Sequence, residues 1–147
     1  MDITDNKPSN NALNTHLKTA FDSSPMMIVI SDLETGEYSD VNKRFEEILG
    51  YSKDQVVGKT SLEIGIWADE KDRQGFVESM HNNGLVDAYP ARLRCEDGKF
   101  IDTLGTGRIV TLDGVKRLFV YIQDVTERNL IELELREFKS YLHNIIN

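Results

Sequence analysis

The chain has little cysteine, little proline and no long apolar run. Cys95 is the single cysteine in 147 residues, which excludes an internal disulfide and any metal site built from several thiolates. No apolar stretch approaches the roughly 18 residues that a membrane-spanning helix needs. The N-terminal MDITDNKPSNNA is polar and acidic, unlike a secretory signal; any membrane segment of this protein is expected outside this chain. Positive charge is also short. Lys and Arg number 17 against 25 Asp and Glu, for a net charge of −8. That balance argues against a nucleic-acid footprint, which needs clustered Lys and Arg, and against attraction to anionic lipid. A reducing, cytoplasmic setting fits all of these absences.

What is present reads as a mixed chain of short elements. Residues 1–11 are rich in Asn, Asp, Ser and Pro and read as a disordered lead-in. Leu13, Leu17, Ala20 and Phe21 fall at helical spacing, and Asp22-Ser23-Ser24-Pro25 stops that helix, because the residue before proline avoids helical geometry. MMIVISDL (26–33) and EYSDV (37–41) form a hairpin across a turn that contains Gly36. Asn42 caps a helix, KRFEEILGY, that Gly50 ends. SKDQVVG is a short turn, LEIGIW (62–67) a connector of open state, and 69–81 a helix with acidic residues near its positive end, closed by Asn82-Asn83-Gly84. Three longer strands follow: LVDAYPARLRC, KFIDTLGTGRIVTL and VKRLFVYIQ. Asp97-Gly98 and Asp113-Gly114 at their joints are hairpin signals. Pro90 marks an edge or a bulge in the first of the three. Strands and helices that segregate in this way indicate an α+β fold with one antiparallel sheet.

Five phrases stand in this order: FDSSPMMIVISDLETGEYSDVN, FEEILGYSKDQVVGK, IWADEKDR, RCEDGKFI and DVTER. Together they resemble the PAS (sensory box) domain family across roughly residues 12–128. The resemblance implies a five-stranded antiparallel sheet in the order 2-1-5-4-3, with short helices over one face and a pocket between them. It places the PAS domain, with its N-terminal flanking helix, at 12–124 and a signalling helix at 125–147 that continues into a missing module. It also implies a homodimer, with a downstream signalling domain in the same chain. That domain could be a two-component sensor histidine kinase, a diguanylate cyclase or another PAS domain.

No catalytic constellation is visible. His16, His81 and His143 fall in separate elements, without Ser-His-Asp or Cys-His spacing or a phosphate-cradling glycine loop, so enzyme activity is not expected of this chain. No metal site is expected. Flavin-binding relatives that form a photoadduct carry a cysteine on a middle helix, where this chain reads SLEIGIWADE. Haem-binding relatives place an axial histidine where it has Glu70, Lys71, Asp72 and Arg73. Both cofactors are therefore disfavoured, whereas a small metabolite remains open.

Two-residue alternation, set by analogy with the family's terminal Asp-x-Thr, turns Leu118, Val120 and Ile122 toward the pocket. Ile28, Ile30, Phe45, Leu49, Ile64, Ile66, Trp67, Phe76, Met80, Leu93 and Leu104 complete the expected lining. The simpler reading of the same residues is a filled core. Arg92 and Arg108 are the charged groups expected to reach such a cavity. Phe119 and Tyr121 then lie on the outer face, where Leu13, Leu17 and Phe21 of the first helix, from the same chain or a partner, could cover them.

The C-terminal segment carries Ile131, Leu135, Phe138, Leu142 and Ile145 at alternating spacings of four and three, a short heptad seam. Glu132 and Arg136 are spaced to pair along it. Such a helix is expected to pair with its copy or to fold back on the sheet. Asp124, Thr126, Glu127 and Arg128 form the junction before it, with Asp124 and Glu127 spaced as a capping box. The function expected is that of a regulatory sensor module coupling a pocket or partner signal to flanking helices; the alternative is a ligand-free dimerisation spacer that sets helix register. Deletion of residues 1–22 is expected to weaken self-association or solubility. Sedimentation and stability unchanged by the deletion would remove the first helix from that role.

Overall fold

The computed structural model describes residues 10–146, with side chains from residue 15 onward. In chain order the elements are α1 (Asn10–Ser23), β1 (Met27–Asp32), β2 (Tyr38–Val41), α2 (Lys43–Leu49), α3 (Lys53–Val56), α4 (Ser61–Ile64) and α5 (Glu70–Asn83). They are followed by β3 (Leu85–Arg94), β4 (Phe100–Leu112), β5 (Val115–Asp124) and α6 (Thr126–Ile146). The strands form one antiparallel sheet in the order β2-β1-β5-β4-β3. This is the α+β, PAS-type architecture.

Local chemistry explains most element ends. Ser52 and Thr60 each form a capping box, with Gln55 and Glu63 respectively. The connector LEIGIW is thus a short helix that ends at left-handed Gly65. β4 and β5 are joined by Asp113-Gly114, both at positive φ (51° and 76°), with Leu112 opposite Val115. That is the type I′ geometry whose twist matches a hairpin. β3 is an edge strand, and its register shifts between Val86 and Tyr89, where Ala88 takes φ 47°. Pro90 therefore follows a bulge on an edge, where its missing N–H is tolerated.

The inner face of the sheet packs on α2, α3 and the 66–67 segment. Met27, Phe45, Leu49 and Val56 are wholly buried there, each contributing roughly 1.5–3 kcal/mol by leaving water. A second cluster, Phe76 and Met80 of α5 against Val86, packs on Leu118 and Val120. Among polar groups Asn42 is the most enclosed. Its Oδ1 accepts from the Ile28 N–H at 2.9 Å and the Phe45 N–H at 3.1 Å, while its Nδ2 donates to the Phe21 and Met26 carbonyls, both at 2.9 Å. One amide thus ties together α1, β1 and the start of α2, with its hydrogen-bonding capacity used on all sides.

Several sequence expectations need correction. α1 begins at Asn10, so the lead-in cannot extend to residue 11; residues 1–9 lie outside the described residues. α1 runs through Asp22 to Ser23 before Pro25 takes effect. α5 likewise continues through Asn82 and Asn83 and turns at Gly84, whose N–H returns to the Met80 carbonyl. α1 packs on α2. Leu17 stays 60% exposed and Phe21 is half-buried, so Leu17 does not blanket the outer sheet face; the Leu13 side chain lies outside the described residues. Along α6, Glu132 pairs backward with Arg128 at 3.5 Å rather than with Arg136. Asn42→Ala would orphan two buried N–H groups at about 1–3 kcal/mol each. Denaturant unfolding is expected to show a loss on the order of 4 kcal/mol, and a loss below about 1 kcal/mol would contradict the tie.

Candidate functional site

Between the inner sheet face and α4–α5 lies a cavity of about 120 Å³. Its sheet wall is Val29, Leu93, Leu118, Val120 and Ile122, and its helical wall is Ile66, Trp67 and Phe76. Val77 also lines it and is 45% exposed, so the cavity reaches the surface beside α5. Neighbouring aromatic rings hold its shape: Phe76 sits 6.0 Å from Trp67 and 5.6 Å from Tyr89, the latter edge-on. Trp67 Nε1 donates to the Ser61 hydroxyl at 2.9 Å, and the Tyr89 hydroxyl donates to the Asp72 carbonyl at 2.9 Å, pinning the first turn of α5.

One end is polar. Ser31 and Tyr38 are paired residues on β1 and β2, and both line the cavity with Arg73 of α5. Burial pushes the Tyr38 hydroxyl well above its ordinary value, and the Arg73 guanidinium opposes that rise.

Of the side chains expected at a pocket, Ile66, Trp67, Phe76, Leu93, Leu118, Val120 and Ile122 line this cavity. Phe45 and Leu49 lie deeper in the filled core, with Ile64 packed on it, and Met80 belongs to the Phe76 cluster. Ile28, Ile30 and Leu104 are corrections. Ile28 pairs with Tyr121, Ile30 with Phe119 and Leu104 with Gln123, all on the opposite face, while Val29 opposite Val120 and Ser31 opposite Leu118 point inward. The charged residue at the cavity is also different. Arg92 and Arg108 face outward, to Asp102 and Asp87, and Arg73 takes the inner position. Its spacing of three from Phe76 on one helix face was the available signal.

The junction into α6 is built from both central strands. Asp124 Oδ1 accepts from the Thr126 N–H at 3.0 Å and from its hydroxyl at 2.7 Å. Thr126 Oγ1 in turn accepts from the Asp102 N–H of β4 at 2.9 Å, and the Asp102 carbonyl accepts from the Val125 N–H at 2.8 Å. The Asp102 carboxylate takes Arg92 Nε at 3.0 Å and Asn129 Nδ2 at 3.4 Å. The capping box expected between Asp124 and Glu127 does not form among the described residues. Asp124 is still paired in the sheet with Thr103, so the helix starts at Thr126 and Glu127 comes one position too early to answer. Asp102 was missed, although an aspartate inside a strand is unusual and hints at a dedicated partner.

A family model described as PAS domain matches residues 25–127. The chain belongs to the PAS domain family. A methyl sulfide methyltransferase-associated sensor from Methanosarcina acetivorans is 26% identical over 132 residues, which are 88% of this chain and 13% of that protein. The chain therefore spans a small part of that relative. Among solved structures, an RNA-binding light-oxygen-voltage receptor superposes with a TM-score of 0.72 at 21% identity, over 100% of this chain and 42% of that one. The PAS domain of an HTR-like protein from Haloarcula marismortui gives 0.63 at 23%, over 78% and 93%. A PAS domain from a two-component sensor histidine kinase gives 0.67 at 10%, over 79% and 99%. PAS domains are sensory modules and generally non-catalytic.

The remaining reactive groups of this PAS domain are dispersed. Among the described residues no three His, Cys, Asp or Glu side chains come together as metal ligands, and His81 is exposed. Cys95 lies just beyond β3, buried, with its Sγ 3.6 Å from the Ile48 carbonyl. Burial, reinforced by Asp97 and Asp124, pushes its thiol up, and the protonated thiol is a poor nucleophile. A thiol-reactive disulfide at pH 7 is expected to modify the folded protein at least about tenfold more slowly than the urea-unfolded chain. Equal rates would contradict the burial.

Proposed function

We propose that this PAS domain is the sensory module of a larger cytoplasmic signalling protein, and that occupancy of its cavity is passed to α6 through the β4–β5 ends. One observation carries the reading. β4 and β5 present Thr103, Gly105, Leu118, Val120 and Ile122 to the cavity, and the same two strands hold the first turn of α6 through Asp102 and Asp124. Thr103 at the wall and Asp102 at the helix are adjacent residues, so displacing one moves the other. A signal in this sense is a difference in free energy between two packings that the ligand and α6 both feel.

The output would be self-pairing of α6. Ile131, Leu135, Phe138, Leu142 and Ile145 are 39–61% exposed along the helix, and α6 touches its own domain mainly at β4. An unpartnered apolar seam of this kind favours a second copy. Helices paired in a dimer can pass a change of register to a domain beyond them, in keeping with a relative named as a sensor and a structural neighbour from a sensor histidine kinase. A ligand-free spacer is the second reading, favoured by the tight filling of the Phe45–Leu49 part of the core.

A Cβ at Gly105 would meet Phe76 Cε2 and the Tyr89 carbonyl oxygen at 3.9 Å, ordinary contact, and the two methyls that Gly105→Val adds beyond it take up space at the cavity wall. In a Cys95→Ala, Leu135→Cys background, oxidative cross-linking reads pairing of α6. Gly105→Val is expected to change its rate by roughly fivefold, and Thr126→Val to abolish that response. Additive effects of the two substitutions would refute the coupling, and absence of any cross-link would refute the pairing.

A further inference from the structure

The cavity is two-ended, and its polar end has the makings of an anion site. Ser31 is 4% exposed, and neither its hydroxyl nor that of Tyr38 makes a hydrogen bond among the described residues. No buried side-chain oxygen there is sealed off without a partner, so both hydroxyls keep some open surface, and both residues line the cavity. The two residues are cross-strand partners, which sets their side chains side by side on the inner face. Arg73 comes from the opposite wall. It is half-buried, close enough to Tyr38 to oppose the rise of its hydroxyl, and has no carboxylate partner among the described residues. The other arginines near the sheet differ: Arg92 and Arg108 are matched to Asp102 and Asp87, and Arg94 Nε donates to the Gly65 carbonyl. A guanidinium left half out of water without a counter-charge is costly unless something supplies one. Elsewhere the wall is mostly apolar, Trp67, Phe76, Leu118 and Val120 among it, and the hydroxyls of Ser61, Tyr89 and Thr103 that also line it are committed to Trp67 Nε1, the Asp72 carbonyl and the Ala91 carbonyl.

We infer that the cavity takes a small monocarboxylate whose apolar body is a single ring or a short branched chain. Charge sets the head group. One guanidinium flanked by two neutral hydroxyls balances one negative charge, and the planar fork of arginine matches a carboxylate. Volume sets the body. About 120 Å³ is near the roughly 150 Å³ known to hold benzene in an engineered core, and far below the 300 Å³ where drug-sized sites begin. A flavin or haem does not fit that space without displacing the walls. The ligand's entry beside Val77 would bring its carboxylate past Arg73, on the same face of α5.

This inference rests on the cavity being the sensory site, and the test separates the two. Titration calorimetry and melting shifts of the full chain are measured with benzoate and isovalerate, with their neutral counterparts benzamide and toluene, and with inorganic phosphate. Benzoate is expected to bind at least about tenfold more tightly than benzamide, the scale of a charge-assisted hydrogen bond, with phosphate inert. Arg73→Met is expected to remove that preference while leaving benzamide and toluene binding in place, and Arg73→Lys to keep part of it. Retained toluene binding also shows that Arg73→Met is folded. Gly105→Val is expected to weaken every organic probe. Neutral probes that match benzoate, or a preference that survives Arg73→Met, would overturn the carboxylate and leave the sensory cavity standing. Failure of toluene as well as benzoate would overturn both. Benzoate bound equally well by Gly105→Val would place it outside the cavity, and the inference would fall.

Discussion

The cavity of this domain depends on the alternation of β5. As the middle strand of five it pairs on one side with β1 and on the other with β4. Its side chains have two destinations fixed by the pleat: Leu118, Val120 and Ile122 go to the cavity, and Phe119 and Tyr121 go to the outer face. Both neighbours must follow that phase. Val29 and Ser31 turn inward because they stand opposite Val120 and Leu118, and Gly105 and Gly107 do so opposite Ile122 and Val120. A one-residue slip would carry the cavity wall to the other side of the sheet.

The same strand then runs into α6 with a single residue, Val125, between them. Val125 is 4% exposed and its N–H is held by the Asp102 carbonyl, so the turn is buried and bonded rather than loose. Its stiffness comes from β4 as much as from β5. The ion pair of Arg92 with Asp102 adds little by itself at such exposure. The bonds through the Thr126 hydroxyl and the Asp102 backbone are local, short and mutually supporting, and they define the angle at which α6 leaves.

Much of this was legible in the residues. The 2-1-5-4-3 order followed from the resemblance carried by five phrases; the helix starts at Asn42, Ser52 and Asp69 follow from side chains that bond the nearby backbone, and the Asp113-Gly114 turn follows from two residues that tolerate positive φ. The phase of β1 was not legible. MMIVI is apolar at every position because Met27, Ile28 and Val29 are all buried, one face under α2 and the other on the outer side of the sheet, so alternation leaves no mark. Leu104 was misplaced for a related reason: the small residues Gly105 and Gly107 carry the inward phase of β4 and show no hydrophobic signal. Arg73 was passed over because a charge on a helix usually faces water. Asp102 acts through its backbone as much as its carboxylate, and pattern reading does not see the backbone.

Under the proposed function, the cavity and α6 move as one unit. Amide hydrogen exchange at residues 125–130, compared between the native chain and Gly105→Val, tests it without touching the cavity: the Val125 and Thr126 amides donate to Asp102 and Asp124, the Asn129 amide donates to the Val125 carbonyl, and none of these residues lines the cavity. A clear change in protection is expected at Thr126 and Asn129 alongside the change at Thr103 and Val120. A change confined to the cavity walls, with the first turn of α6 untouched, would contradict it.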